Sequence, residues 1–232
     1  MEKIIIVGES IIKDKQQNED CFNSLLEIIG ILSSDKKKNA IKDFYTNKVY
    51  EKKSFYETLL TLSYPNQINA VLKEFLKKYD IECEYKDIEN FKNVFNHCFE
   101  NTKVNENVIK KLLEIKNSEE IFLAGNITNL ETAEYKRLIG NYTFNRHFLS
   151  FRLGFDKYNE KFFKRINDYT NNKHVFYIDN DYKAIRMALE QDFICFYSDN
   201  EDNTVNILDE IMNDKHNEDN FDIVKPKRKF FF

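Results

Sequence analysis

The amino-acid sequence predicts an α/β protein. Its core has a parallel sheet flanked by helices, and an all-helical block is inserted after the first strand. Two observations lead to this prediction. Short apolar runs typical of buried strands alternate with amphipathic segments along the second half of the chain, as in repeated βαβ units. Between the first apolar run and the second, a long block shows only helical periodicity.

Five segments have the composition of strands. The first, at 3–7, is the β-branched run KIIIV, and the one at 174–178 passes directly into Asp179-Asn180-Asp181. Continuous apolar runs without strict alternation are typical of strands covered on both faces, as in a parallel sheet. The other candidates are 120–123, 193–197 and 147–153, the last as a short strand or extended piece.

Apolar residues spaced three and four apart define the helices. In the block after the first strand they predict helical faces at 21–32, 55–62, 68–76 and 91–99, and Pro65 suits the first position of the third helix. Later helices are predicted at 108–113, 131–138, 159–169, 182–189 and 205–212. We therefore expect a core from 1–12 and 106–224, a helical cap at 13–105, and a basic and aromatic tail at 225–232. An all-α protein with one stray strand is the alternative, and the later strands disfavour it.

Composition limits the classes of function. With 232 residues, 42% hydrophobic residues and 15% aromatic residues, the chain has ample material for a buried core. The formal net charge of −4 is small and the charges are interspersed, so we expect no nucleic-acid partner. No run approaches the ~20 apolar residues of a membrane helix. The four scattered cysteines form no CxxC pair, which favours reduced thiols and a cytoplasmic protein.

Three segments of the second half carry a family resemblance through their order and spacing. They are LAGN at 123–126, HFLSFRLGFDKYNEKFF at 147–163 and VFYIDNDYKAIRMA at 175–188. These resemble the second, third and fourth motifs of the haloacid dehalogenase (HAD) superfamily of phosphatases and dehalogenases. The third-motif lysine falls on Lys157 and the fourth-motif acid on Asp179. The resemblance covers 3–12 and about 108–197, and it implies a Rossmann-like sheet with a helical cap inserted after the first strand.

The resemblance also implies a chemistry. In that family an aspartate at the end of the first strand attacks phosphorus and forms an aspartyl-phosphate. A second aspartate two residues later acts as general acid and base. Mg²⁺ is held by the nucleophile, a backbone carbonyl and the fourth-motif acid. The lysine offsets negative charge, and a second-motif Ser or Thr hydrogen-bonds the phosphate.

The first motif of this chain departs from that pattern. The matching register places Gly8 at the nucleophile and Ser10 at the general acid/base. A shifted register that uses Glu9 leaves Ile11 at the second position. The extra methylene of Glu9 then misplaces the carboxylate, which costs on the order of a hundredfold in rate. Ser10 as nucleophile needs an adjacent base, and none is evident in the sequence.

The remaining polar residues predict a residual site. We expect Asn126 and Lys157 to form an anion site, and Asp179, with Asp181 as a second ligand, to form at most a weak metal site. The second-motif hydroxyl is missing, because Gly125 stands in its place. In the alternative interpretation, Lys157 pairs with Asp179 and only neutralises a buried carboxylate.

The sequence thus favours a catalytically degenerate HAD-like protein that serves as a binding or regulatory module. Its ligand would be a small phosphorylated or acidic molecule, or a protein partner bound by the cap. One alternative is an active Mg²⁺-dependent phosphohydrolase that uses a displaced carboxylate such as Glu9 or Asp181; Mg²⁺ is expected only in that case. Another is an interaction protein whose former site is inert. The four dispersed histidines (His97, His147, His174 and His216) are expected to be structural or surface residues.

Overall fold

The computed structural model describes residues 3–14, 19–48, 50, 52–82, 84–97, 102–140, 142, 144–171 and 174–213. The tail predicted at 225–232 lies outside these residues. Among the helices in the described ranges, none combines the length and the apolar character needed to cross a membrane.

The strands are few and short. In chain order they are β1 (Lys3–Gly8), β2 (Lys13–Asp14), β3 (Lys103–Val104), β4 (Glu120–Gly125), β5 (Arg146–Leu149), β6 (His174–Asp179) and β7 (Ile194–Tyr197). Five of them form a parallel sheet in the order β5-β4-β1-β6-β7. Strand β1 is central, with β4 on one side and β6 on the other. The two halves of the sheet therefore diverge from β1, where open α/β sheets bind ligands beyond the carboxyl ends of their strands.

Helices cover the sheet and form the cap. They are α1 (Glu9–Ile12), α2 (Glu19–Ile28), α3 (Ser34–Tyr45), α4 (Phe55–Leu59), α5 (Pro65–Lys78), α6 (Tyr85–His97), α7 (Glu106–Ile115), α8 (Thr132–Ile139), α9 (Ser150–Leu153), α10 (Glu160–Thr170), α11 (Tyr182–Leu189) and α12 (Glu201–Met212). A 3₁₀ turn at Asn129–Glu131 precedes α8. The α/β class predicted from the sequence is confirmed, and so is the place of Pro65 at the start of α5.

Strand β1 shows why its sequence is apolar without interruption. Ile4 and Ile6 pack into the hydrophobic cluster on one face of the sheet, whereas Ile5 and Val7 pack into the cluster on the other face. Successive side chains of a strand point to opposite faces, so a strand buried on both faces needs an apolar residue at every position. All four side chains are at most 1% exposed.

The block between β2 and β3 has a hydrophobic core of its own. This cap cluster is built from α2 to α6 around the rings of Phe44, Phe75, Phe91 and Phe95. The two connections to the sheet run side by side, because β2 and β3 pair antiparallel. The domain boundaries predicted at 12/13 and 105/106 stay predictions.

The body contributes one residue to the cap cluster. Leu130, in the 3₁₀ turn after β4, is buried among the cap side chains. The neighbouring carboxylate of Glu131 accepts a hydrogen bond from the Tyr56 hydroxyl of α4, at 3.2 Å to Oε2 and 3.3 Å to Oε1. The Ser63 hydroxyl donates to the Phe151 carbonyl oxygen. The cap is therefore docked on the body through apolar and polar contacts together.

Two predicted elements need correction, and one helix was not predicted. The segment 147–153 is extended only to Leu149 and then forms α9, because the Ser150 hydroxyl hydrogen-bonds the backbone of Ile127. Gly154, at φ +75°, ends that helix. The helix predicted at 21–32 ends at Ile28, before Gly30 at φ +91°. Helix α3 was not predicted: only Ala40 and Phe44 of its apolar residues are buried, so its apolar stripe is narrow.

We predict that Leu130→Ala weakens the attachment of the cap. Truncating a buried leucine costs about 2–5 kcal/mol, because the remaining cavity is only partly filled. Chemical denaturation should show that loss in the free energy of unfolding. Leu113→Ala on α7 is the matched control, because Leu113 is 41% exposed and its truncation should cost within about 0.5 kcal/mol. Equal stability of the two variants would contradict the docking role of Leu130.

Candidate functional site

Several of the residues singled out in the sequence lie together at the carboxyl ends of β1 and β6. Val7 is in register with Ile178, so the next residues, Gly8 and Asp179, end neighbouring strands side by side. Helix α1 starts at once with Glu9 and brings Ser10 over the same edge. The structure thus brings Ser10, Lys157 and Asp179 together at this edge of the sheet.

Lys157 is a buried cation with two carboxylate partners. Its side chain is 2% exposed, and its ammonium lies 2.7 Å from Asp179 Oδ2 and 2.8 Å from Glu9 Oε2. Its backbone N–H donates to Asn126 Oδ1 at 2.8 Å. Asn126 therefore contacts the main chain of the lysine, and its side-chain oxygen orients the loop that delivers the ammonium.

Asp179 is fully buried and receives donors on both of its oxygens. Oδ2 accepts from the Lys157 ammonium and from the Tyr177 hydroxyl. Oδ1 accepts from the Asn180 backbone N–H at 2.8 Å, and the Ser10 hydroxyl lies 2.8 Å away. The same hydroxyl is 2.7 Å from Asn180 Oδ1 and has one proton, so it donates to one of the two oxygens at a time.

The contacts of this cluster determine its protonation states. Burial alone would raise the pKa of Asp179, but the charge of Lys157 and the hydrogen bonds from Lys157, Tyr177 and Ser10 outweigh it and hold the pKa below its usual value. Burial alone would lower the pKa of Lys157, and the two carboxylates hold it above its usual value. Burial and the Asp179 charge raise the pKa of the Tyr177 hydroxyl, so it stays a hydrogen-bond donor. Two carboxylates facing one ammonium leave the cluster with an excess of one negative charge.

No side chain fits at Gly8. A Cβ atom built there would lie 2.4 Å from Asp179 Oδ2, 2.5 Å from its Cγ and 2.7 Å from Oδ1. The backbone of Gly8 is extended (φ −66°, ψ 149°), a conformation open to any residue, so the constraint is steric. At Gly125 a Cβ would lie 3.1 Å from Ile127 Cδ1 and 3.3 Å from Glu9 Cβ. The side chains of Asp179, Ile127 and Glu9 thus fill the space beside these two glycines.

Asp181 does not join this cluster. Its carboxylate is the N-cap of α11 and accepts from the backbone N–H groups of Lys183 at 2.9 Å and Ala184 at 3.4 Å. It also hydrogen-bonds the Tyr158 hydroxyl, whose pKa is raised by burial and then by this contact. The sequence pattern Asp-Asn-Asp therefore separates into one buried carboxylate and one helix cap.

The donor set does not fit a resident Mg²⁺. Gly8 supplies no carboxylate, and both oxygens of Asp179 are engaged by cationic or neutral donors. Across the described ranges, no group of three or more His, Cys, Asp and Glu side chains is placed to hold a metal ion. Mg²⁺ needs several oxygen ligands in nearly octahedral geometry. We therefore derive no chemical step through a metal ion.

Besides the contact of Glu9 with Lys157, two contacts of Asp179 were not predicted. Tyr177 precedes Asp179 by two residues in β6, so both side chains lie on the same face, and this spacing was a usable signal. The second is the contact of Ser10 with Asp179, because the sequence showed no base near Ser10 and the fold brings a carboxylate to it. That carboxylate is a weak base, since its pKa is depressed.

Comparison with solved structures finds HAD family enzymes and haloacid dehalogenases among the similar chains. The chain is similar to a HAD family enzyme from Bacteroides thetaiotaomicron, solved in complex with magnesium and inorganic phosphate, with 14% identity, a TM-score of 0.63 and coverage of 86% of this chain and 94% of that one. It is also similar to a HAD-like family hydrolase from Porphyromonas gingivalis (13% identity, TM-score 0.63, 91% and 98% coverage). A third similar structure is the L-2-haloacid dehalogenase of Xanthobacter autotrophicus, with 8% identity, a TM-score of 0.55 and coverage of 85% of this chain and 77% of that one. No protein-family model and no curated protein matches.

We predict that Gly8→Ala destabilises the protein strongly and Gly125→Ala mildly. The first places a methyl group inside the contact distance of a fully buried carboxylate that four donors hold, and overpacking of this kind costs about 1–3 kcal/mol or more. The second presses mainly against the tip of the Ile127 side chain, which can shift. Denaturant titration of both variants measures the difference. A Gly8→Ala variant as stable as wild type would refute the steric account.

We also predict a pH-dependent loss of stability in Lys157→Met. Removal of one partner from a buried ion pair costs about 3–5 kcal/mol near pH 7. In wild type the depressed pKa of Asp179 gives stability that is present above the usual aspartate pKa, about 3.9, and lost as pH falls through the folded-state pKa. In the variant, burial raises that pKa, so protonation restores stability as pH falls.

The difference in unfolding free energy between wild type and Lys157→Met should therefore be largest near pH 7 and shrink towards pH 4. The control is Lys92→Met, which breaks the cap-surface pair with Glu89. That pair is worth within about 1 kcal/mol, and its loss should change little with pH. A difference in unfolding free energy that is independent of pH would show that the pKa of Asp179 does not depend on this lysine.

Proposed function

Because the chain has the fold of the haloacid dehalogenase superfamily, we propose that it is a non-catalytic member of that fold that serves as a binding or regulatory module. The observation that carries this proposal is the contact between Gly8 and Asp179. Aspartyl-phosphate chemistry needs a carboxylate on β1 that points at the substrate. Here the Asp179 carboxylate lies where the Cβ of such a residue would be.

The state of Lys157 supports the same proposal. A lysine that stabilises a transferred phosphoryl group must offer positive charge to the substrate. The Lys157 ammonium is instead held between Glu9 and Asp179, and its side chain is 2% exposed. The excess of negative charge in the cluster opposes the approach of a phosphate ester.

The rival hypothesis of an active enzyme with a displaced carboxylate finds less support. Glu9 is bound to Lys157 and its side chain is 14% exposed. Asp181 caps α11. Ser10 has a carboxylate neighbour in Asp179, but the depressed pKa of that group makes it a poor general base at neutral pH.

A binding role for the cap remains part of the proposal. Among the described residues of the cap block, Ile28 is 62% exposed, Leu32 is 73% exposed and Tyr64 is 70% exposed, and we consider the first two together. They lie on either side of the turn that ends α2 and would suit contact with a protein partner. The protein partner predicted from the sequence is retained on this basis as a proposal, whereas the excess negative charge of the cluster disfavours the other predicted ligand, a small phosphorylated or acidic molecule.

We predict no phosphatase activity, and no gain of activity in Gly8→Asp. Purified protein with p-nitrophenyl phosphate and Mg²⁺ should release phenolate at the rate of the blank. Gly8→Asp should stay at that rate and be less stable than wild type, because its side chain collides with Asp179. Wild-type turnover well above the blank that is abolished in Glu9→Gln or in Asp179→Asn would overturn the proposed function.

A further inference from the structure

Lys157 has more negative charge around it than its own neutralisation requires. Asp179, fully buried and 2.7 Å from the ammonium, is sufficient to neutralise it. Glu9 adds a second carboxylate at 2.8 Å, from a different element. A buried cluster with an unbalanced charge is costly, so the position of Glu9 calls for an explanation beyond neutralisation.

Glu9 also fills space beside the lysine. Its Cβ lies so close to Gly125 that a Cβ at that glycine would be 3.3 Å away, and Ile127 borders the same position. The stem of Glu9 thus passes over the end of β4 and directs its carboxylate to Lys157. Glu9 thereby places a second carboxylate oxygen 2.8 Å from the ammonium.

We infer that Glu9 is an internal anion: its carboxylate occupies the anion site formed at Lys157 and thereby excludes external phosphate. The inference rests on the proposed function, because a protein that transferred phosphoryl groups would need this face of the lysine open. It also gives the predicted residual anion site an occupant from the chain itself. The native protein should then reject phosphate, and removal of Glu9 should admit it.

Variants of Glu9 should admit phosphate because they lose a negative charge and, in one case, side-chain volume beside Lys157. Glu9→Gln keeps the shape and removes the charge, which leaves Lys157 and Asp179 as a neutral pair. Glu9→Ala removes the charge and most of the volume, so an anion can approach the ammonium directly. A phosphate dianion within about 5 Å of the Glu9 carboxylate is strongly repelled in a partly buried site, and that repulsion disappears in both variants, whereas the remaining charge of Asp179 is offset by Lys157.

Titration calorimetry with inorganic phosphate, at pH 7, low ionic strength and without metal ions, tests the inference. We expect Glu9→Ala to bind phosphate at least tenfold more tightly than wild type, with Glu9→Gln between the two. Glu89→Gln, which removes an equal charge from the cap-surface pair with Lys92, should behave as wild type. In ¹⁵N-labelled Glu9→Ala, phosphate should shift the backbone amide resonances of Lys157 and its neighbours.

Three results would overturn the inference: phosphate binding by wild type as tight as by Glu9→Ala, no binding by either Glu9 variant, or resonance shifts confined to surface lysines. If Glu9→Ala does not fold, Glu9→Gln decides the question by the same comparison. The outcome is separate from that of the proposed function. Turnover of a phosphate ester by wild type would refute the proposed function, whereas tight phosphate binding by wild type without turnover would refute only the role of Glu9.

Discussion

The buried ion pair of Lys157 and Asp179 is the interaction on which the rest of this site depends. Both side chains are almost completely removed from water, and neither charge is tolerable there without the other. The pair also links distant parts of the chain, since Lys157 follows α9 and Asp179 ends β6. Tyr177, Ser10 and the Asn180 amide complete the donors around the aspartate, and Glu9 adds a second acceptor for the lysine.

This polar cluster fills the crevice at the carboxyl ends of the central strands. In open α/β sheets the carboxyl ends of the strands next to the switch in strand order form a crevice for ligands. Here the residues at that place bind one another. A glycine is needed at position 8 because any Cβ atom there would collide with the Asp179 carboxylate. The Ile127 and Glu9 side chains crowd Gly125. Polar groups whose hydrogen-bonding capacity is used internally stabilise the fold and are not available for a substrate.

The loop after β4 connects this polar cluster to the cap. Leu130 and Glu131 lie in the 3₁₀ turn after β4 and contact the cap cluster and Tyr56, respectively. Burial, followed by the Glu131 charge, raises the pKa of the Tyr56 hydroxyl, so the cap presents a neutral donor to a buried carboxylate. The loop that leaves the central sheet therefore serves two interfaces. The Asn126 side chain contacts the Lys157 backbone, and the Leu130 and Glu131 side chains contact the cap.

Much of the fold could be predicted because its signals are local. The apolar runs of β1 and β6 and the periodicity of α5, α7 and α11 indicated strands and helices at the right places. Two features were hidden for physical reasons. Helix α3 buries only a narrow stripe, and the end of β5 is set by a hydrogen bond between Ser150 and the distant backbone of Ile127.

The sequence by itself determined the class of the fold, the order of its elements and the absence of a carboxylate at Gly8, because each of these depends on residue type and spacing. It left open whether Lys157 faces a ligand or a carboxylate. Only the tertiary structure decided that Asp179 and Glu9 both reach the lysine and that Asp181 turns away to cap α11. The physical reason is that charges 22 and 148 positions away along the chain meet only when the strands are packed.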